Sequence, residues 1–341
     1  MTLKEIGEFG FIEKISPHCL IRSNRIIKAI GDDAAVFTLK SDESIIVTTD
    51  LMVEGIHFLR HATSGFDLGY KSLAVNLSDI AAMGGTACEA FVSIAIPDNC
   101  PVDYLESFYE GMKKLAFEFD VNILGGDTTR SNTDLVINIA IVGSVCKEDL
   151  LCRDQAKPGD TIHVTGFLGD SRAGLDLILN EFSSDDSKIM RSLMKAHSRP
   201  SPHLKEGRFL ATQHGVRAGI DVSDGLLSDL NHISKSSQVG ARLFADKIPL
   251  SENLKHFCQI FNRKPLNYAL NGGEDYVLIC TIAPGCSDLI NKKFQSCFNR
   301  PLFTIGEIIE SEKLELALED GTIKMVQPNG WDHFKVDTYS I

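Results

Sequence analysis

Apolar and polar positions along the chain follow two periods, and the switches between them predict the elements. Residues 44–50, "SIIVTTD", form a β-rich run that predicts a strand. Residues 66–85, "FDLGYKSLAVNLSDIAAMGG", carry the three-to-four spacing of a helix stopped by two glycines. "AFVSIAIP" (90–97) predicts another strand, and "PVDYLESFYEGMKKLAFEFD" a helix with proline at its start. "VNILGG", ending at Gly126, and "DLVINIAIVGSV" predict two more strands, so the first half is strand-rich α/β. The pattern breaks at "CRDQAKPGD" (152–160), whose Lys-Pro-Gly-Asp cluster predicts a domain junction and divides the chain into 1–150 and 151–341. Beyond it, "TIHVTG" predicts a strand, "FLGDSRAG" a turn and "LDLILNEF" a helix. After the joint "SRPSPH" come a helix, the strand "GIDVSD", the helix "GLLSDLNHISKSS" and the strand "ARLFAD". The end reads mostly as short strands: "DYVLICTI", "LFTIGEI", "KLELAL" and "TIKMV". The fold class is α/β of the α+β type, and 341 residues suffice for two cores.

Composition narrows the function classes. With 43% hydrophobic and 23% charged residues, and no apolar run as long as a membrane span, the chain reads as soluble and globular. The first fifteen residues mix acids into the apolar positions, unlike a signal peptide, which leads us to expect the cytoplasm. Nine cysteines, an odd number without any Cys-x-x-Cys pair, speak for reduced thiols rather than a disulfide framework or a zinc ribbon. A net charge of −12 disfavours nucleic acid or an anionic membrane as partner. An acidic protein that handles phosphates needs cations.

Carboxylates stand at the ends of apolar strands or on an otherwise apolar helix: Asp32 and Asp33, Asp50, Asp79, Asp127, Asp221 and Asp224. On the helix, Ser72, Asn76 and Asp79 share one face between apolar neighbours. Any single aspartate can be a helix cap or turn residue, and Asp224 before Gly225 can simply start its helix. Brought together, such carboxylates would raise one another's pKa unless a divalent cation intervened. Oxygen donors without a Cys or His cluster suit Mg²⁺. "NILGGDTTRS" fits this picture, because its glycines let backbone approach a phosphate while the lysine of a Walker loop is missing; metal on Asp127 can replace it. The turn "TGFLGDSRAG" is a weaker candidate anion site. Lys71, Arg130, Arg153 and Arg172 are candidate phosphate partners, with Arg153 singled out by its place in the junction. Trp331, read alone, is a core aromatic or a stacking platform, and His57 a structural hydrogen-bonder or a base. No nucleophile with a local base is apparent, so no catalytic side chain is assigned.

Taken in order, "GEFGFI", "IGDDAAV", "VTTDLMVEGIHF", "YKSLAVNLSDIAAMGG", "LGGDTTR", "AKPGDTIHVTGFLGDSRAG", "RPSPH", "GIDVSDGLLSDL", "NGGEDYVL" and "GWDHF" resemble the thiamine-monophosphate kinase family of the aminoimidazole ribonucleotide synthetase superfamily. The resemblance implies a two-domain fold of mixed sheets with helices packed on them. Its N-terminal domain dimerises and binds metal and ATP; its C-terminal domain completes the nucleotide and substrate site. It implies ATP and thiamine monophosphate as substrates, several Mg²⁺ ions, a homodimer, and direct in-line transfer of the γ-phosphoryl group. By position, Asp33, Thr48, Thr49, Asp50, Asp79, Asp127, Asp221 and Asp224 look like metal ligands, some through backbone oxygen. Gly126, Asp127, Arg153 and Ser223 look like ATP contacts, and His57, Glu274 and Trp331 like substrate contacts, which reverses the core reading of Trp331. Tyr109 is a candidate adenine neighbour. A selenophosphate-synthetase-like or hydrogenase-maturation relative would want a reactive cysteine near one end, and a cation-binding scaffold would show no turnover.

Overall fold

Two sheets of different construction carry the chain. In the computed structural model, residues 11–30, 36–38, 42–180 and 187–330 are described. Within them two units separate, the residues up to Ile80 with Gly85–Glu148, and Ala81–Gly84 with the residues from Asp149 onward.

In the first unit a small antiparallel ribbon, β1 (Ile26–Lys28) with β2 (Val36–Phe37), precedes a four-stranded sheet. That sheet is built from β3 (Glu43–Val53), β4 (Thr86–Pro97), β5 (Asn122–Ser131) and β6 (Val136–Cys146), in the order β3-β6-β4-β5. Its pairs are antiparallel except β4 with β5. Helices α1 (Gly65–Ala82) and α2 (Val102–Glu118) add to its core, with Phe11 and Ile15 also buried. Along β3 the side chains alternate, so that Ile46 and Met52 are buried while Ile45, Val47 and Leu51 are 56%, 65% and 53% exposed. The strand is apolar on both faces, yet only one is covered.

The expected strand end at Gly126 is not observed: β5 continues through "GGDTTR" to Ser131. Gly126 is needed there because a Cβ would lie 1.7 Å from the Val92 carbonyl oxygen, and its φ of +152° suits glycine. Glycine also sets how closely α1 and α2 approach. A Cβ on Gly69 would lie 1.8 Å from the Phe108 carbonyl oxygen, and one on Gly111 1.9 Å from that of Phe66.

The second unit holds a seven-stranded sheet made of β7 (Thr161–Val164), β8 (Val216–Asp221), β9 (Gly240–Phe244), β10 (Leu278–Ile282), β11 (Phe303–Ile309), β12 (Leu314–Ala317) and β13 (Ile323–Met325). Their order is β13-β12-β9-β11-β7-β10-β8, antiparallel but for β12 with β9. Its helices are α3 (Asp170–Asn180), α4 (Ser187–Ser198), α5 (Leu204–Ala211), α6 (Leu226–Ser237), α7 (Glu252–Ile260), α8 (Pro265–Asn271) and α9 (Ser287–Phe298). The main core joins Ile162, Val164, Ile220, Leu230 and Ile279; a smaller one joins α3, α4 and α7 through Leu177, Leu193 and Phe257. Helix α3 begins inside the predicted turn, and α4, α7, α8 and α9 are absent from the sequence reading. Those helices run 7 to 12 residues, too short for the period to declare itself. All nine cysteines are free thiols, and no helix among the described residues is long and apolar enough to cross a membrane.

The glycine contacts give a stability prediction. Gly69→Ala or Gly111→Ala improves helix propensity by about 1 kcal/mol, but forces a methyl into backbone that cannot yield locally, at a cost of about 1 to 3 kcal/mol or more. Each variant should melt below the parent chain in a thermal scan; an unchanged or higher Tm would show that the two helices part freely.

Candidate functional site

In the first unit the polar stripe of α1 faces the inner side of β3. Ser72 donates to the Leu68 carbonyl at 2.7 Å, and Asn76 Nδ2 to that of Ser72 at 3.1 Å. Both side chains are buried. Asn76 Oδ1 then accepts the Asp50 amide at 3.1 Å, and Asp79 accepts the Thr48 hydroxyl. The stripe thus brings Thr48, Asp50 and Asp79 together near the C-terminal end of the helix. Burial, then the negative charge of Asp79, push the Asp50 carboxyl up to about 6. This oxygen-only group with excess negative charge can hold a hard divalent cation.

Thr49 and Asp127 lie elsewhere. The Thr49 hydroxyl accepts from Asn138 Nδ2 at 2.8 Å. Asp127 is paired across β5 and β4 with Ser93, which pairs with Asn138, which pairs with Leu51. Residues in register share a face, so Asp127 stands on the exposed side with Leu51, three strands from β3, or roughly 14 Å at the usual interstrand spacing. Thr48, Asp50 and Asp79 occupy the opposite side.

The loop after β3 carries His57. Its Nδ1 accepts the Val53 amide at 3.0 Å, so the neutral ring carries its proton on Nε2. Arg60 pairs with Glu54 at 2.9 Å and donates to Asn99 at 2.9 Å, while Glu54 accepts the Leu135 amide at 3.0 Å. These contacts tie the loop down at both ends. A base at Nδ1 is thereby excluded, because that lone pair is already used.

In the second unit the end of β8 turns sharply into α6. Asp229 Oδ2 accepts the Asp224 amide at 3.1 Å and the Gly225 amide at 3.0 Å. Asp224, Asp229 and His232 bring one ligand atom each within 4.8 Å of the others. Burial, then the charges of Asp221 and Asp224, push the Asp229 carboxyl up to about 8. Burial and Arg153 hold His232 below its usual value. Arg153 is exposed in a short turn whose carbonyl accepts Ser237 Oγ at 2.8 Å. The Ser223 carbonyl accepts the Glu274 amide at 2.7 Å, which sets Glu274 alongside this turn. Asp221, Ser223, Asp224, Arg153 and Glu274 thus all belong to one region of the unit. Asp229 and His232 were not singled out in the sequence; their three-residue spacing on α6, directly after "SDG", was the available signal.

The glycine turn before α3 is no open anion site. Gly169 donates its amide to Asp275 at 2.7 Å and Ser171 to the same carboxylate at 3.2 Å. The chain's own side chain therefore fills the place of an external anion. Tyr109 is a core residue, buried edge-on between Phe108 and Phe11 at 5.3 and 6.0 Å, and Lys71 is buried on α1. The expected ligand Asp33 and the expected substrate contact Trp331 lie outside the described residues.

Residues 31–145 match the model of the AIR synthase related protein N-terminal domain, and residues 157–319 that of the C-terminal domain. The thiamine-monophosphate kinase of Aquifex aeolicus is 36% identical over 334 residues, covering 98% of this chain and 100% of that protein. The solved thiamine-monophosphate kinase from Stenotrophomonas maltophilia K279a superposes with a TM-score of 0.81 at 35% identity, over 93% of this chain and 97% of that one. AaThiL complexed with AMPPCP and TMP gives a TM-score of 0.77 at 35% identity, over 98% of this chain and 99% of that one. Near-complete coverage at this identity, on an AIR synthase related fold, is decisive: the chain belongs to the thiamine-monophosphate kinase family.

Proposed function

We propose that this protein transfers the γ-phosphoryl group of ATP to the phosphate of thiamine monophosphate, giving thiamine diphosphate and ADP. A substrate phosphate oxygen attacks the γ-phosphorus in line as the bond to the β-phosphate oxygen breaks, and no enzyme side chain is phosphorylated. The observation that carries this reading is the Asp50 and Asp79 carboxylate group, whose mutual repulsion a cation would relieve. AMPPCP is an ATP analogue, and its presence with TMP in a relative covering nearly the whole chain supports the substrate pair. An attacking phosphate oxygen is already ionised, so positioning and charge neutralisation suffice and a strong base is unnecessary.

The residue roles follow the family positions. Asp33, Thr48, Thr49, Asp50, Asp79, Asp127, Asp221 and Asp224 are assigned to several Mg²⁺ ions rather than to one, since Asp127 stands on the sheet face opposite Asp50 and Asp79. Gly126, Asp127, Arg153 and Ser223 are assigned to ATP, and His57, Glu274 and Trp331 to thiamine monophosphate. When bound, Mg²⁺ supplies positive charge to the polyphosphate. Both carboxylate groups fit a hard cation by donor chemistry, with His232 the one nitrogen among them. Residues 1–150 take the role of metal, ATP and dimer contacts, and 151–341 that of nucleotide and substrate contacts. The cytoplasm, where ATP is abundant, is the proposed compartment. A homodimer is proposed through the open face of the first sheet, since Ile45, Val47 and Leu51 form an exposed apolar row.

Incubating the purified chain with ATP, Mg²⁺ and thiamine monophosphate should yield thiamine diphosphate and ADP in equal amounts; ADP without the thiamine product overturns the assignment. Asp50→Asn should lower kcat on the order of 10²-fold without lowering the Tm, and above about pH 6 the metal-free variant should melt higher than the parent chain, because the buried ionised carboxyl is gone. The same residue sets a pH dependence. Its carboxyl pKa is raised from 3.8 to about 6, so the proton stabilises the metal-free fold fully below about pH 4 and this contribution is lost as pH rises through about 6. Mg²⁺ competes with that proton, so its affinity should climb up to tenfold per pH unit below about 6 and flatten above it. Calorimetric titration across this range would remove Asp50 from the metal site if the parent chain and Asp50→Asn show the same profile.

Sedimentation equilibrium should find the parent chain dimeric at micromolar concentration and Val47→Asp monomeric, because burying an uncompensated carboxylate costs several kcal/mol. A dimeric Val47→Asp would move the interface away from this face.

A further inference from the structure

Glu274 sits in a strained stretch of backbone. It has a φ of +62° and Tyr276 a φ of +51°, so two residues with side chains hold the left-handed conformation on either side of Asp275. What holds them there is visible. The Glu274 amide donates to the Ser223 carbonyl at 2.7 Å and the Tyr276 amide to that of Val222 at 2.9 Å. From the other side, Asp275 accepts the Gly169 and Ser171 amides. The backbone at Glu274 is therefore fixed from both directions, which leaves its side chain to be oriented.

That orientation comes from α4. His197, buried in the last turn of the helix, places Nδ1 3.2 Å from Glu274 Oε2 and 3.2 Å from Ser171 Oγ. A carboxylate accepts only, so a hydrogen bond between the two requires the proton on Nδ1. We propose that His197 is a positioning residue that fixes the Glu274 carboxylate for recognition of a cationic ring on the substrate. The inference rests on the reading of Glu274 as a substrate contact and extends it to a residue that touches no substrate.

The choice of donor has a chemical reason. An arginine or lysine in this place would cancel the charge that the carboxylate offers to a cation. An imidazole donates the bond without needing a positive charge of its own, so it orients the carboxylate and leaves its field intact. Hydrogen bonds to charged groups are stronger than those between neutral ones, so losing this one should weaken recognition of a cationic substrate by roughly tenfold or more. The nucleotide should notice far less.

Steady-state kinetics on four variants, with thermal melts, tests this. His197→Leu should raise KM for thiamine monophosphate about tenfold, with KM for ATP and kcat within about twofold. His197→Asn, whose amide restores an N–H donor, should recover most of the loss. In a Glu274→Gln background, His197→Leu should add little further effect. A raised KM in Glu274→Gln with none in His197→Leu overturns the positioning role alone. An unchanged KM in Glu274→Gln removes the substrate reading of Glu274 and this inference with it. Equal changes in both KM values with a lowered Tm and no rescue by asparagine would make His197 a packing residue. Should the leucine variant fail to fold, nitrogen NMR of the parent chain's imidazole reads the tautomer directly: a protonated Nδ1 is expected, and an unprotonated one overturns the proposal.

Discussion

Much of the first unit serves to hold two carboxylates closer than they would settle by themselves. Asp50 and Asp79 arrive from different elements, a strand and a helix, and each is locked by a neutral partner: Asn76 takes the Asp50 amide and Thr48 donates to Asp79. Neither partner neutralises charge. Burial and the repulsion from Asp79 push the Asp50 carboxyl up to about 6, so it holds its proton far longer than an exposed aspartate would. Close packing elsewhere sustains this arrangement. The glycines at 69 and 111 let α1 and α2 meet backbone to backbone, and α1 carries Ser72, Asn76 and Asp79 on its face toward β3.

Several of these features were legible in the sequence, and the reason is local periodicity. Ser72, Asn76 and Asp79 interrupt an apolar helix at the spacing of one face, and that face is where the structure finds hydrogen bonds to β3. That residues 44–50 form a strand was readable too, but not which face would be covered, because both are apolar. "NILGGDTTRS" misled for a tertiary reason: paired glycines usually end a strand, whereas here Gly126 lets β5 pass within contact of the Val92 carbonyl and continue. The helices of the second unit escaped because their buried faces are narrow. In α9 only Ile290 and Phe294 are buried, and in α7 the spacing Leu254, Phe257, Cys258 covers little more than a turn. Contacts between distant residues, such as Asp275 with Gly169 or His197 with Glu274, left no periodic trace at all.

Asp275 and His197 illustrate a division of labour that sequence motifs conceal. "TGFLGDSRAG" has the look of an anion-binding turn, but its amides are taken by the chain's own Asp275 carboxyl, which burial pushes up to about 8. The turn's amides are consumed in supporting the stretch that bears Glu274. A motif read for its donors must therefore be checked against the acceptors that folding brings to it.

The same logic explains how a chain with a net charge of −12 can be organised around phosphates. Basic side chains could neutralise a polyphosphate directly, yet many of the described arginines are committed to internal ion pairs: Arg60 with Glu54, Arg208 with Asp149, Arg217 with Asp160, Arg242 with Glu307 and Glu315, and Arg300 with Glu206. Positive charge spent on the scaffold leaves carboxylates as the groups on offer. On the proposed reading a carboxylate surface binds a phosphate through a cation, and a cation is exchangeable, so affinity for the anion would be conditional on the metal and, through Asp50, on the proton that competes with it.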